Sequence, residues 1–199
     1  MTITWRSILA SLLGAVTACA QLPPPETPAQ LSAEAAAVTP AREDVSSRFI
    51  GLIGIKAQHA PLFLGVPATN FYCLRSFVDR QTGETQHQLY VSDSYSGVER
   101  QWNAAHDGAG RSLRFVEIGR NEITCDGRCS YLEEFAAVIP DSDLRASPQG
   151  LTVTFTAGSG SEKKIVVSGR QVTAQLAAVD ARRTPTQPAA ALARPAVPQ

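Results

Sequence analysis

Seven residues of this 199-residue chain have side chains that could perform thiol or imidazole chemistry. They are Cys19, Cys73, Cys125, Cys129, His59, His87 and His106. The histidines are far apart in sequence, and no serine occupies a Gly-x-Ser-x-Gly context of the kind that positions a hydrolase nucleophile. The spacing therefore predicts no catalytic residue, no metal ligand and no cofactor.

Cys125 and Cys129 are separated by a short polar connection, Asp126-Gly127-Arg128. Asp-Gly favours a tight turn because glycine adopts positive φ without strain. Strands predicted at Arg120–Thr124 and Ser130–Ile139 would bring the two cysteines face to face, as a disulfide requires. We expect this disulfide. The alternatives are a redox-active pair, a zinc site that recruits Cys73 and a histidine, intermolecular bonding, and free thiols; the spacing fits none of these well.

Glu133 and Glu134 are the remaining candidates for acid–base chemistry. They are adjacent on a predicted strand, so they point to opposite faces and cannot act together. An inward-facing member would need a partner such as Arg75 or Arg114. Four aromatic residues could line a recognition surface, although aromatic side chains on sheets more often fill the core or form cross-strand pairs. These are Tyr90, Tyr95, Trp102 and Tyr131.

Cys19 ends a basic-then-apolar amino-terminal segment. Arg6 precedes an apolar stretch from Ile8 to Ala18, which is too short to span a bilayer that needs roughly 20 residues, and the pattern is that of a secretory signal. The final four residues, Val16 to Cys19, resemble a bacterial lipobox. This resemblance implies a diacylglyceryl group on the Cys19 sulfur and cleavage before Cys19.

Two alternatives to the lipid anchor compete. Ala18-Cys19-Ala20 also satisfies the rule for ordinary signal cleavage, which would release a soluble protein. A retained membrane helix is disfavoured by the proline-rich stretch that follows. In the lipobox family an aspartate after the cysteine signals inner-membrane retention, and this chain has Ala20 there. The resemblance therefore implies the periplasmic face of the outer membrane, where Cys73, Cys125 and Cys129 meet an oxidising environment.

The composition excludes one class of partner. Residues 1–18 contain Arg6 and no acidic residue, so the chain after Ala18 keeps 17 basic and 18 acidic residues. A nucleic-acid binder would show a basic surface or a high isoelectric point, and we expect no nucleic-acid partner. Apolar residues at 44% suffice for one packed core.

Alternating apolar and polar residues predict mainly β structure. Phe71–Val78 and His87–Val91, joined by a polar turn, predict a hairpin. Further short strands are expected around Trp102, from Leu113 to Ile118 with a bulge, and at Leu151–Phe155 and Lys164–Val167. A helical turn is expected from Asp141 to Leu144. Ser168 is placed to cap a carboxy-terminal helix that carries Val172, Leu176 and Val179 on one face.

Two apolar clusters precede the hairpin, Phe49–Ile55 and Pro61–Pro67. They could form a membrane-surface helix, but the basic face of such helices is missing. We therefore expect both to be short core or edge segments. The fold class expected is a small antiparallel β-sandwich or curled sheet of seven to nine strands with one carboxy-terminal helix, flanked by disordered Pro/Ala-rich segments.

The expected organisation has four parts. Residues 1–18 form the signal peptide, 19–45 a lipid-anchored Pro/Ala-rich linker, 46–182 a single mainly-β domain, and 183–199 a disordered tail. The aromatic hairpin, the Cys-x₃-Cys-Ser-Tyr turn and the final helix resemble uncharacterised proteobacterial lipoproteins of unknown function, a resemblance that implies no activity.

We expect a non-enzymatic binding or assembly module in the cell envelope, with the membrane, an envelope protein or peptidoglycan as partner. The alternatives are a lipid-anchored periplasmic hydrolase and a periplasmic inhibitor or immunity-like protein.

Overall fold

Two antiparallel sheets and a carboxy-terminal helix make up the computed structural model, which describes residues 37–40 and 48–183. The first sheet contains β1 (Thr39–Pro40), β2 (Phe49–Ile53), β3 (Ala57–Gln58), β4 (Phe71–Asp79), β5 (Thr85–Ser96), β8 (Phe115–Thr124) and β9 (Ser130–Ile139). The second contains β6 (Trp102–Asp107), β7 (Ser112–Leu113), β10 (Gly150–Ala157) and β11 (Glu162–Ser168). The helices are α1 (Asp141–Arg145) and α2 (Gly169–Arg182). The expected antiparallel two-sheet fold with one carboxy-terminal helix is confirmed. The described residues form eleven strands where seven to nine are expected, and three of these, β1, β3 and β7, have only two residues each.

The β4–β5 hairpin is the centre of the first sheet, whose order is β1-β2-β4-β5-β9-β8 with β3 beside β4. Its aromatic and β-branched residues fit a pleated surface, and Gly83 has the positive φ that the connecting turn requires. Leu74 pairs with Leu89, and Ser76 with His87, on the face that looks toward the second sheet. The hairpin prediction is confirmed.

The second sheet, in the order β11-β10-β6-β7, covers that inner face. The chain passes from one sheet to the other at Arg114, between β7 and β8. Trp102, Phe135 and Phe155 are buried between the sheets, with ring centroids 4.9 Å apart for the two phenylalanines. Such tilted aromatic contacts add to the burial of apolar area.

Helix α2 packs against both sheets. The Ser168 hydroxyl accepts a hydrogen bond from the Gln171 amide, and the Gln171 side chain bonds back to the Ser168 amide, which forms a capping box. Val172 and Val179 are fully buried, and Leu176 is partly buried against the core. The predicted cap and apolar face are confirmed. Val38, within the expected linker, packs with Ile50 and Leu52 in the smaller apolar cluster.

The two apolar clusters ahead of the hairpin form different structures. Phe49–Ile53 forms strand β2, as expected. The prediction for Pro61–Pro67 is wrong, because this segment is a loop with a single 3₁₀ turn at Phe63–Gly65 and its leucines face solvent. An apolar run of this length does not distinguish a core segment from an exposed loop.

Cys19, the signal peptide at 1–18, most of the linker and the tail beyond residue 183 lie outside the described residues. Among the residues that are described, no helix is both long and apolar enough to cross a membrane.

Candidate functional site: a buried serine–histidine–aspartate chain and a cleft at the β4–β5 turn

Strands β8 and β9 form a hairpin at the edge of the first sheet, and its turn holds the two cysteines. Cys125 and Cys129 are joined by a disulfide in the structure. Residues 120–128 are all exposed, and Gly127 takes the positive φ expected of the turn. Glu122 lies close to both sulfurs, but the disulfide occupies the thiols that a metal would need. The arrangement is that of an exposed hairpin turn closed by a disulfide.

Cys73 is buried on β4, on the outer face of the first sheet. Burial raises the pKa of its thiol, although Arg75 acts in the opposite direction. A raised pKa disfavours the reactive thiolate.

Three residues with the identities of a catalytic triad meet in the interior. The Ser76 hydroxyl lies 2.8 Å from Nδ1 of His87, and Nε2 of His87 lies 2.9 Å from Oδ1 of Asp141. Ser76 and His87 are register partners on β4 and β5, while Asp141 begins α1. No local sequence pattern predicts that these three residues meet, because Asp141 is 54 positions from His87.

The hydrogen bonds that join Gln175, Ser76, His87 and Asp141 all donate in the same direction, toward Asp141. Gln175 Nε2 donates to the Ser76 hydroxyl at 2.7 Å, so the hydroxyl donates to Nδ1 and the imidazole Nε2–H donates to Asp141. Burial lowers the pKa of His87 and outweighs the raising effect of Asp141. The contact is therefore a hydrogen bond of a neutral imidazole and not an ion pair.

Burial prevents the Ser76–His87–Asp141 network from reaching a substrate. Ser76, His87 and Gln175 each have an exposed fraction of 0%. A nucleophile must meet its substrate within about 3.5 Å, and the Ser76 hydroxyl is enclosed beneath α2. The hydrogen bonds among Gln175, Ser76, His87 and Asp141 tie β4, β5, α1 and α2 together, while Oε1 of Gln175 stays buried without a partner among the described residues.

Asp141 links this interior chain to the surface. Its carboxylate also contacts Arg145 at 3.0 Å and Arg183 at 3.2 Å, and Arg145 in turn holds Asp180 on α2. Burial would raise the pKa of Asp141, but the hydrogen bonds from His87 and Arg145 outweigh it and the pKa is lowered. The end of α2 is thereby fastened to α1.

A second buried polar cluster closes the sandwich at the Phe71 end of β4. Asp93 and Glu133 are cross-strand partners on β5 and β9, and both are buried. Asp93 contacts Arg100, the Trp102 indole and Lys163. Each carboxylate is thus compensated, as buried charges require.

Glu133 accepts hydrogen bonds from the Tyr95 hydroxyl and the Gln101 and Trp102 amides, with Arg120 at 3.7 Å. The expected partners Arg75 and Arg114 are therefore wrong for Glu133. Glu134 points to the opposite face, as predicted, and accepts from the Tyr90 hydroxyl. The inward position of Asp93 follows from its alternation with Leu89 and Val91, a signal that the sequence analysis did not use.

The four aromatic residues proposed for a recognition surface mostly lie in the interior. Tyr90, Tyr95 and Trp102 are buried, and Tyr131 is half-buried against Tyr95. The three histidines are not brought together. His59 contacts the Ser92 carbonyl and Lys163, while His106 lies half-buried on β6.

An open cleft of about 810 Å³ lies at the end of the sandwich where the β4–β5 turn is found, and we call it the distal cleft. Its lining consists of Arg48, Phe49, Phe77, Asp79, Glu84, Thr85, Gln86, Gln88, Asp141 and Arg183. The volume is within the range of about 300–1,000 Å³ typical of ligand sites. A smaller cleft of about 290 Å³ lies around Asp107 and Asp143.

Four of the five charged groups that line the distal cleft form ion pairs, and the fifth, Glu84, is exposed. Arg48 Nε lies 2.6 Å from Oδ2 of Asp79, while Oδ1 of Asp79 accepts from the Gln81 amide. The Arg48 guanidinium lowers the pKa of Asp79. Arg183 is held between Asp141 and the Thr85 hydroxyl. Phe77 and the amides of Gln86 and Gln88 share the outer face of the sheet between these pairs.

The cleft combines an aromatic surface, two amide side chains, two compensated ion pairs and the exposed carboxylate of Glu84. That combination suits a polar ligand with little net charge, since the charged groups orient it without requiring a counter-charge. Comparison of this chain with protein-family models, with curated proteins and with solved structures finds no match.

Proposed function

We propose that this chain is a lipid-anchored protein of the cell envelope whose β domain is a non-enzymatic binding or assembly module. The resemblance of Val16–Cys19 to a lipobox supports the anchor, and Ala20 in the position of a retention aspartate supports a location at the periplasmic face of the outer membrane. The distal cleft is the single observation that carries the binding role.

The position of the cleft supports presentation to a partner away from the anchor. β1 runs antiparallel to β2 and β2 antiparallel to β4, so β1 runs in the same direction as β4, from the Phe71 side toward the Asp79 side. The cleft surrounds Asp79, at the far end of that nine-residue strand. A strand of this length spans about 30 Å. The cleft therefore lies at the end toward which β1 runs.

The partner that suits the cleft is a segment of an envelope protein or of peptidoglycan with little net charge. Arg48–Asp79 and Arg183–Asp141 are compensated pairs that can donate and accept hydrogen bonds at the rim. Phe77 supplies an apolar surface. A strongly charged partner would have to displace one of these pairs, which costs the energy of a charge-assisted hydrogen bond.

Photo-crosslinking in intact envelopes tests this proposal. A photoreactive residue replaces Gln86, which is exposed in the cleft, and a matched control replaces Lys164, which is exposed on β11. We expect one discrete adduct from position 86 that Phe77→Ala weakens. Identical adducts from both positions, or none from position 86, would contradict the binding role.

A periplasmic inhibitor or immunity-like protein is the second candidate, and the stapled β8–β9 hairpin supports it. The disulfide fixes the exposed turn before binding, which reduces the entropic cost of inserting it into an enzyme cleft. This candidate predicts that a partner enzyme crosslinks from Arg128 and not from Gln86.

The distances among Ser76, His87 and Asp141 favour the hydrolase alternative, but a substrate could not reach these residues. Both the nucleophile and the base would be enclosed. For this reason we assign Ser76 a structural role.

A further inference from the structure

The segment from Pro61 to Pro67, which we call the apolar loop, presents large apolar side chains to solvent. Leu62, Leu64 and Val66 are 39%, 81% and 49% exposed. Single exposed apolar residues are common on protein surfaces. Three within five positions form a contiguous patch, and such patches mark interaction sites.

The apolar loop is held in one shape by polar side chains at its base. The Thr69 hydroxyl accepts from the Phe63 amide at 2.9 Å and donates to the Val66 carbonyl at 2.7 Å. The buried Asn70 side chain donates to the Pro61 carbonyl and accepts from the Ser94 amide, both at 2.7 Å.

Leu64 itself has φ of 50°, in the left-handed region that is unfavourable for a leucine. Unfavourable backbone conformations persist where the surroundings determine them, and they cluster at functional positions. The loop therefore projects Leu64 in a fixed orientation, so that little ordering is needed on binding.

The location of the apolar loop indicates what it meets. It connects β3 to β4 and lies at the Phe71 end of β4, and β1 runs from that side of the sheet toward the Asp79 side. Residues 20–36 alone separate Cys19 from the first described residue, Ala37. Seventeen residues span at most about 60 Å when extended and about 25 Å as a flexible coil. A lipid group on Cys19 would keep this end of the domain near the bilayer.

The charge around the loop suits an anionic bilayer surface. Residues 49–78 contain Lys56 and Arg75 as their only charged side chains at neutral pH. Asp93, at the same end of β4, is buried and compensated by Arg100 and Lys163, and Glu134 accepts a hydrogen bond from the Tyr90 hydroxyl. Lys56 is exposed and lies over the Phe71 ring, 4.3 Å from its centroid, directly ahead of the loop. Basic residues beside an inserted apolar segment gain from attraction to anionic lipid headgroups.

We propose that the apolar loop inserts Leu62, Leu64 and Val66 into the interfacial region of the bilayer that holds the lipid anchor. The loop is then a second membrane contact, which fixes the orientation of the domain and directs the distal cleft away from the lipid. This inference rests on the proposed lipid anchor.

Fluorescence of an introduced indole tests the insertion. Leu64→Trp, with Leu62→Trp as a second variant, is made in the full chain, isolated from membranes, and reconstituted into phosphatidylethanolamine–phosphatidylglycerol vesicles whose acyl chains are brominated near the headgroup. Val166→Trp is the matched control, because Val166 is 60% exposed on β11 of the second sheet. The buried indole of Trp102 emits in every variant, so the emission of the wild-type protein is subtracted. The difference spectrum should show blue-shifted emission and bromine quenching at position 64 or 62, and neither at position 166. Unquenched emission at positions 62 and 64, or equal quenching at all three positions, would overturn the proposal.

Palmitate labelling of the same preparations separates this inference from the anchor. Labelled protein whose indole at position 64 is unquenched overturns the loop insertion and leaves the anchor standing. Unlabelled protein in the soluble fraction overturns the anchor, and added vesicles then test the loop alone, with quenching in its favour and no quenching against it. A third outcome is an indole that is not quenched in pure lipid vesicles but shows a blue shift in native envelopes. That outcome assigns the loop to a protein partner and overturns the lipid proposal.

Discussion

Replacing His87 by alanine removes the centre of the buried polar chain. The imidazole is fully buried and bonds Ser76 on one side and Asp141 on the other. We expect His87→Ala to lower the free energy of unfolding without changing any surface that a partner would contact.

The size of the effect follows from two terms. A buried polar group that loses its partner costs about 1–3 kcal/mol, and here the Ser76 hydroxyl loses its acceptor. The space left by the imidazole adds a cavity cost, and large-to-small substitutions in cores typically total about 2–5 kcal/mol. We therefore expect a loss of about 3–5 kcal/mol, a large part of the total stability of about 5–15 kcal/mol usual for a domain.

The effect should depend on pH in a defined direction. Burial lowers the pKa of His87 in the folded state below the value of about 6.5 that it has when unfolded. Below that pH the unfolded chain binds a proton that the folded chain does not, so wild-type stability falls with falling pH, by at most about 1.4 kcal/mol per pH unit. The alanine variant lacks this term, and the stability gap between the two proteins should narrow below about pH 6.5. Burial and Lys163 lower the pKa of His59 as well, but His59 is present in both proteins and cancels.

Chemical denaturation of wild type, His87→Ala and His106→Ala between about pH 8 and about pH 5 measures this directly. His106 is half-buried on β6 and serves as the control, for which we expect a loss below about 1 kcal/mol. A His87→Ala loss equal to that of the control, or a gap that widens as the pH falls, would refute the reasoning.

Three further predictions concern local structure. Ser168→Ala removes the hydroxyl half of the capping box and should cost about 1 kcal/mol by denaturant unfolding, with Ser161→Ala, which changes no helix cap, unchanged. Gly150→Ala should cost more than about 2 kcal/mol, because φ is +103° and a Cβ would lie 2.3 Å from the Val167 carbonyl oxygen; Gly110→Ala, with φ +82° and open space, is the milder control. Non-reducing mass spectrometry should find Cys125 joined to Cys129, a closure worth about 2 kcal/mol, and free thiols at both positions would reject the staple.

The parts of the fold that local patterns predict are those in which neighbouring residues determine the structure. The β4–β5 hairpin follows from aromatic and β-branched residues on either side of a polar turn. The start of α2 follows from Ser168 and Gln171, which cap the helix within four residues. Leu113–Ile118 was expected to be one bulged strand, and it instead divides at Arg114 between the two sheets. That division depends on how the sheets face each other, which no local pattern encodes.

Local sequence patterns could not predict the candidate site either, because its residues meet only through long-range contacts. His87 lies opposite Ser76 only in one register of the hairpin, and Asp141 reaches it only because α1 folds back beside β5. The apolar loop was misassigned because its exposure depends on Thr69 and Asn70, which fix the backbone from outside the apolar run. Long-range contacts of this kind are set by tertiary packing and override local propensity.

Palmitate labelling of wild type and Cys19→Ala, followed by membrane fractionation, tests directly whether Cys19 carries a lipid anchor. The account predicts that the wild-type protein is labelled and sediments with the outer membrane, because two or three acyl chains anchor stably where one does not. The variant should lose the label and its stable retention. An unlabelled wild-type protein, or a Cys19→Ala variant that is still labelled and retained, would contradict the account.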